Sequence, residues 1–189
     1  ELRKILTEIN ISKLTGLVLD LGLSSYQLEA EQGFSFMKDT DLDMRAYKND
    51  SEKASDILNG YTRGDLEEIF ERYGEIGNAS RLAKAIMEKR KKKRFNTTFD
   101  LVDLIKEEYS ISKKNEIDFM AKIFQALRIK VNNELENLEK VMKDSLELME
   151  DGGRIVIVSY HSLEDRIVKN FFRKESEKYK EGDNPFFKD

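Results

Sequence analysis

The sequence predicts an α/β protein whose parallel sheet is interrupted by a helical insertion. Two short apolar runs rich in β-branched residues, "TGLVLD" (15–20) and "RIVIVSY" (154–160), read as buried strands. About 130 residues separate them, far more than the roughly 30 of a βαβ unit. The sequence between them carries apolar stripes at helical spacing, and helices are what connect and cover parallel strands.

In chain order, Leu2, Ile5, Leu6 and Ile9 mark a short amphipathic helix ahead of the first strand. After "LGLSS", residues 26–50 show no sustained period and read as a long loop of the kind that carries function. Ala54, Ile57 and Leu58 share one helical face. Leu66, Ile69, Phe70 and Tyr73 share another, which Gly74 closes. Ala79, Leu82, Ala83 and Ile86 make a third stripe, and Thr98 reads as the cap of a helix bearing Leu101, Val102, Ile105 and Tyr109. Spacings of three and four from Met120 through Leu127, Leu135 and Met142 to Met149 predict one long helix over 119–149, crossing back to the sheet. "DGG" (151–153) stops it. Ser162 reads as the N-cap of a last helix, with Asp165 at its third position and Ile167, Val168, Phe171 and Phe172 on its apolar face. The economical division is 1–45 and 119–189 as one α/β domain and 46–118 as the inserted helical domain.

Composition narrows the classes. Of 189 residues, 39% are hydrophobic and 37% charged, a folded and surface-rich balance. No apolar run approaches the roughly 18 residues that span a membrane. Cysteine is absent, which excludes disulfides and thiolate metal sites and fits a reducing, cytoplasmic setting. The net charge of −4 argues against a uniformly basic coat for nucleic acid, though not against a local patch. The oligomeric state stays open, a homodimer included.

Ligands of open α/β sheets bind at the carboxyl ends of strands. The two ends available here are Asp20-Leu21-Gly22-Leu23-Ser24-Ser25 and Ser159-Tyr160-His161-Ser162. An acid, a glycine and a row of hydroxyls suit close backbone approach and hydrogen bonding to a polar ligand. His161 is the only histidine, and two readings of it stay open. It fills the strand-to-helix turn with Ser162, or it contacts a cofactor or base. Asp39, Asp41, Asp43 and Asp50 imitate a calcium loop, but Met44 stands at its glycine position and Asp50 replaces the bidentate glutamate, so no resident metal is expected, while a weaker Mg²⁺ contact shared with RNA phosphate stays open. Asp43 and Arg45 read instead as a pair ordering the loop. "KRKKKR" (89–94) places six consecutive cations at a helix end, read either as a solvated run complementing the helix dipole or as a phosphate contact.

The successive blocks "GLVLDLGLSSYQL", "GFSF", "DLDMR", "YGE", "FQALRIKVNNEL" and "GGRIVIVSYHSLEDRIVKNFF" resemble the signatures of the MraW family of 16S rRNA cytidine N4-methyltransferases, in order and over nearly the whole chain. The resemblance implies a class I, Rossmann-like methyltransferase fold with an inserted helical domain. It implies S-adenosyl-L-methionine as cofactor and, as substrate, the exocyclic N4 of a cytidine in the decoding region of the small ribosomal subunit. Asp20, Gly22 and Gln27 are then the cofactor contacts, and Asp20, Ser24 and His161 the candidate catalytic residues. Ser25, Asp43, Arg45, Lys91, Lys92, Lys93, Arg94, His161 and Ser162 are the candidate RNA contacts. Methylating an aromatic amine requires aiming its nitrogen at the methyl more than it requires a strong base.

The chain departs from the family pattern in three places. The family's glycine-rich cofactor loop lies upstream of this segment and no G-x-G occurs here, so the segment alone is expected to bind the cofactor poorly. Asp118-Phe119-Met120-Ala121-Lys122 stands where the family has H-P-A-T-R, and Asp41 where it has proline before L-D-M-R. A non-catalytic RNA-binding helical module, or a methyltransferase of another nucleic acid, are the rival readings.

Overall fold

The computed structural model describes residues 2–24, 32–47, 52–110 and 112–180. Their elements are α1 (Leu2–Glu8), β1 (Leu14–Asp20), α2 (Ala54–Gly60), α3 (Arg63–Gly74), α4 (Ala79–Lys92), α5 (Thr98–Glu108), α6 (Lys113–Asn132), α7 (Glu134–Leu148), β2 (Met149–Val158) and α8 (Ser162–Lys180). The chain divides into two compact units, 1–22 with 135–189, and 23–134. No helix among the described residues is long and apolar enough to cross a membrane.

In the first unit, β1 and β2 pair in parallel. From Gly16↔Arg154 to Asp20↔Val158 the register is regular. Between Leu14 and Gly16 the partner jumps from Met149 to Arg154, so "EDGG" bulges out of the ladder. The second strand therefore begins at Met149, earlier than its apolar run, and ends at Val158. The expectation of buried strands is corrected. Leu17, Leu19, Ile155 and Ile157 are half-buried, while Val18 is 70% and Val156 52% exposed, because one face of this two-stranded ladder stays open. Helix α7 buries Leu135, Leu138, Met142, Ser145 and Leu148, one stripe at helical spacing.

The second unit holds a dense core. Leu66, Ile69 and Phe70 of α3, Leu82 and Ile86 of α4, Leu101 and Ile105 of α5, and Ile123, Phe124 and Leu127 of α6 are all buried. Gly74 closes α3, as the stripe predicts, for a different reason. The left-handed residue is Glu75 (φ 49°), and Gly74 is needed because a Cβ there would meet the Lys122 carbonyl of α6 at 3.1 Å and the Ala126 methyl at 3.3 Å.

Two expectations about helix ends are corrected. The cap of α5 is Thr97, with Asp100 accepting from the Thr97 and Asn96 N–H groups at 3.0 and 2.9 Å. Thr98, fully buried, instead ties down the preceding loop, donating to the Lys38 carbonyl at 2.6 Å and accepting from the Thr40 N–H at 3.1 Å. The long helix over 119–149 is two helices, α6 and α7, parted by Asn133 at φ 47°. Asparagine tolerates the left-handed region better than most residues, and Asn132–Asn133 supplies the break the apolar stripe conceals.

Candidate functional site

Parallel pairing brings both carboxyl-terminal strand ends to one edge of the first unit. Asp20 lies level with Val158, and the Leu21 N–H donates to the Val158 carbonyl at 3.1 Å. Beyond β2 the chain turns into α8, and three residues lock the turn. The His161 carbonyl accepts the first helical bond, from the Asp165 N–H at 3.2 Å, so His161 occupies the cap position expected of Ser162. Its Nδ1 accepts a long bond from the Glu164 N–H at 3.5 Å. Glu164, 3% exposed, reaches back so that Oε2 accepts the Tyr160 N–H at 2.9 Å. The pattern is a capping box displaced by one residue, with Glu164 where Asp165 was expected.

His161 is thereby built into the turn. Its Nε2 is buried, makes no hydrogen bond among the described residues and lies 3.3 Å from Glu164 Oε1. Burial pushes the Glu164 carboxyl up. The His161 side chain and the Tyr160 and His161 backbone bonds outweigh it and hold the group below the ordinary carboxylate range. Ser162 is the exposed first residue of α8.

Tyr160 crosses the gap between the strand ends. Its hydroxyl donates to Asp20 Oδ1 at 2.8 Å, and this bond raises the phenol above its usual range. Its ring lies against Gly22, whose φ is +88° and whose Cβ, if it had one, would sit 3.2 Å from Tyr160 Cδ2. Glycine is needed at 22 on both counts. Asp20 and Gly22 are exposed, so this edge offers an acceptor and open backbone. Ser24 is exposed in the second unit; Ser25 and Gln27 lie outside the described residues, as does Asp50.

The second unit supplies a rigid turn at Asp43-Met44-Arg45. Arg45 donates through Nε and Nη2 to the two oxygens of Asp43 at 2.6 and 2.9 Å, the loop-ordering pair the sequence suggested. The Arg45 side chain leads the effects that pull the Asp43 carboxyl below its ordinary range against burial, with Lys53 adding at 3.8 Å. Met44, fully buried, sits at φ 61°, the conformation that glycine takes in the calcium loop this segment imitates. Asn132 clamps it. Oδ1 accepts the Ala46 N–H at 2.7 Å and Nδ2 donates to the Met44 carbonyl at 2.8 Å.

The basic run divides by direction around the end of α4. Arg90 turns inward, Nη1 donating to the Leu58 and Tyr61 carbonyls at 3.0 and 2.7 Å. Lys89 pairs with Glu107 at 2.7 Å, Lys91 with Glu88 at 2.8 Å and Lys93 with Asp100 at 2.6 Å. Lys92 and Arg94 are exposed and form no ion pair among the described residues.

Sequence reasoning did not single out Glu164 or Asn132, and it named Tyr160 and Arg90 only as parts of the strand end and of the basic run. The spacing His161-x-x-Glu164 was a usable capping signal; the others depend on partners remote in the chain.

The profile of the MraW methylase family matches residues 1–183. Proteins named "Ribosomal RNA small subunit methyltransferase H" are similar to this chain. That of Persephonella marina is 44% identical over 170 residues, covering 89% of this chain and 58% of that protein. Those of Clostridioides difficile and Carboxydothermus hydrogenoformans are 46% and 41% identical, covering 89% and 92% of this chain and 55% and 56% of the relatives. The chain thus spans less than two thirds of the length of these curated relatives.

Proposed function

The chain belongs to the MraW methylase family, and from that premise we propose that the protein methylates the exocyclic N4 of a cytidine in the decoding region of 16S rRNA, using S-adenosyl-L-methionine in a cytoplasmic setting. The observation carrying this reading is the meeting of two parallel strand ends at Asp20 and Val158, with an open acidic and glycine edge beside them. That edge fits a nucleoside cofactor. Asp20 keeps one carboxylate oxygen outside its bond to Tyr160, and Gly22 leaves backbone uncovered. Asp20, Gly22 and Gln27 are the residues assigned to hold it. When bound, it supplies a methyl group on a positively charged sulfur.

The residues of this chain orient the reactants and leave the proton transfer to solvent. A carboxylate such as Asp20 accepts N–H or ribose O–H, and positioned acceptors turn the amine out of conjugation and aim it. Ser24 and Ser25 are assigned further polar contacts, and Ser162 one at the head of α8. His161 acts by fixing the turn and presenting its neighbours, not as a proton shuttle. The helical segment 46–118 is proposed to recognise RNA between methyltransferase segments 1–45 and 119–189, although the compact helical unit is wider, 23–134, and takes α6 into its core. Lys92 and Arg94 are its strongest phosphate contacts, with Lys91 and Lys93 available once their carboxylate partners are exchanged for phosphate. Asp43 and Arg45 shape the loop that meets the RNA.

The test is to incubate the full-length protein and methyl-labelled S-adenosylmethionine with small ribosomal subunits lacking the modification, and then to resolve the nucleosides by mass. Label in N4-methylcytidine from 16S rRNA is expected. No incorporation, or label in another nucleoside, refutes the reading.

A further inference from the structure

Tyr160 is held at three points and yet is 66% exposed. Its N–H is bound by the buried Glu164, its hydroxyl by Asp20, and the Cδ2 side of its ring lies against Gly22, which has no side chain to displace it. An exposed tyrosine on a surface normally costs rotamer freedom when it binds anything. Here the two bonds and the glycine seat have already fixed the ring, and its exposed surface remains available at the carboxyl end of the parallel strands. The aspartate holding its hydroxyl keeps its other oxygen for a ligand.

From this geometry we infer that Tyr160 is a stacking platform for a nucleobase, with Asp20 receiving the N–H or O–H groups that the same nucleoside carries. A flat π face suits a fixed phenol ring, and a carboxylate beside the ring suits an amino group or a ribose hydroxyl. A simple anion would gain nothing from the ring and would be repelled by the carboxylate, and among the ligands that the proposed function brings, those with a flat face are nucleosides. The ligand class is therefore a purine or pyrimidine nucleoside, from one of two sources: the adenosine of the cofactor or a base of the RNA. The inference rests on the proposed function for the presence of both sources and assigns a residue to the reaction that the family likeness did not single out.

Two substitutions separate stacking from a strap that merely knits the strand ends. Tyr160→Phe and Tyr160→Leu both lose the Asp20 bond, but only phenylalanine keeps a ring. The full-length protein and both variants are titrated with S-adenosylhomocysteine by calorimetry and with a cytidine-containing 16S-derived oligonucleotide by anisotropy, with thermal unfolding recorded alongside. Leucine is expected to weaken one of the two probes by ~10-fold or more, while phenylalanine stays within ~3-fold of the parent. The probe that weakens identifies the source of the base. Equal weakening by Phe and Leu, or unchanged affinity for both probes in the Leu variant, overturns the stacking role. If the parent protein binds neither probe, the proposed function fails and the inference falls with it.

Discussion

Replacing Asn132 by alanine should release the turn that presents Asp43 and Arg45. Its amide bonds among the described residues include one from the Ala46 N–H at 2.7 Å, one to the Met44 carbonyl at 2.8 Å and one to the Arg128 carbonyl at 2.9 Å. The last stays within its own helix and adds little. The first two hold a remote loop, and each neutral bond is worth about 0.5–1.5 kcal/mol, so their loss costs about 1–3 kcal/mol. Relaxation of Met44 from its left-handed conformation at φ 61°, a strain of about 1 kcal/mol, returns part of that. The expected net loss is about 1–2 kcal/mol, read as a lower urea midpoint at constant slope. Exchange of the Ala46 amide should accelerate in parallel. Asn132→Asp should be at least as damaging, because it keeps the acceptor for Ala46 but sets a carboxylate oxygen against the Met44 carbonyl. A loss under about 0.5 kcal/mol for alanine, or full stability for aspartate, would refute the clamp.

Arg90→Ala should lower the unfolding temperature, since two half-buried carbonyls lose their donor, whereas Arg94→Ala should leave it unchanged and lower the salt slope of RNA binding by about one unit. Glu164→Gln should flatten the acid limb of stability. The native carboxyl is held below its unfolded value of about 4.3, so its stabilisation is present above that pH and vanishes as pH falls through the lower folded value. Unfolding temperature against pH for both proteins checks the sign. Gly74→Val should destabilise by a few kcal/mol, because its Cβ would meet the Lys122 carbonyl and the Ala126 methyl; denaturant titration reads it.

Most helices were legible because each buries one stripe, and the stripes at 66–73, 82–86 and 101–105 reappear as the core of the second unit. The break at Asn132–Asn133 was hidden because Val131, Leu135 and Leu138 continue the apolar period across it. What ends α6 is a backbone turn whose neighbouring amide is engaged by Met44 and Ala46, and no local pattern announces a partner over 80 residues away. The strand-end edge was legible from Asp20, Gly22 and the lone histidine. The histidine drew attention from Tyr160, whose role depends on a bond across 140 residues of chain. The six cations at 89–94 read as one patch because sequence lists them side by side, whereas a helix turns them in different directions and sends Arg90 inward.

Asp20, the acceptor at the meeting of the two strands, is the centre of the proposed site. Titrating S-adenosylmethionine into the full-length protein and its Asp20→Asn variant tests it directly, since asparagine can still accept from the Tyr160 hydroxyl but brings no charge. Loss of a charged acceptor is worth about 1.5–3 kcal/mol, so the variant should bind roughly 10- to 100-fold more weakly with its unfolding temperature preserved. Equal affinity in the two proteins would contradict the assignment of the site to this edge.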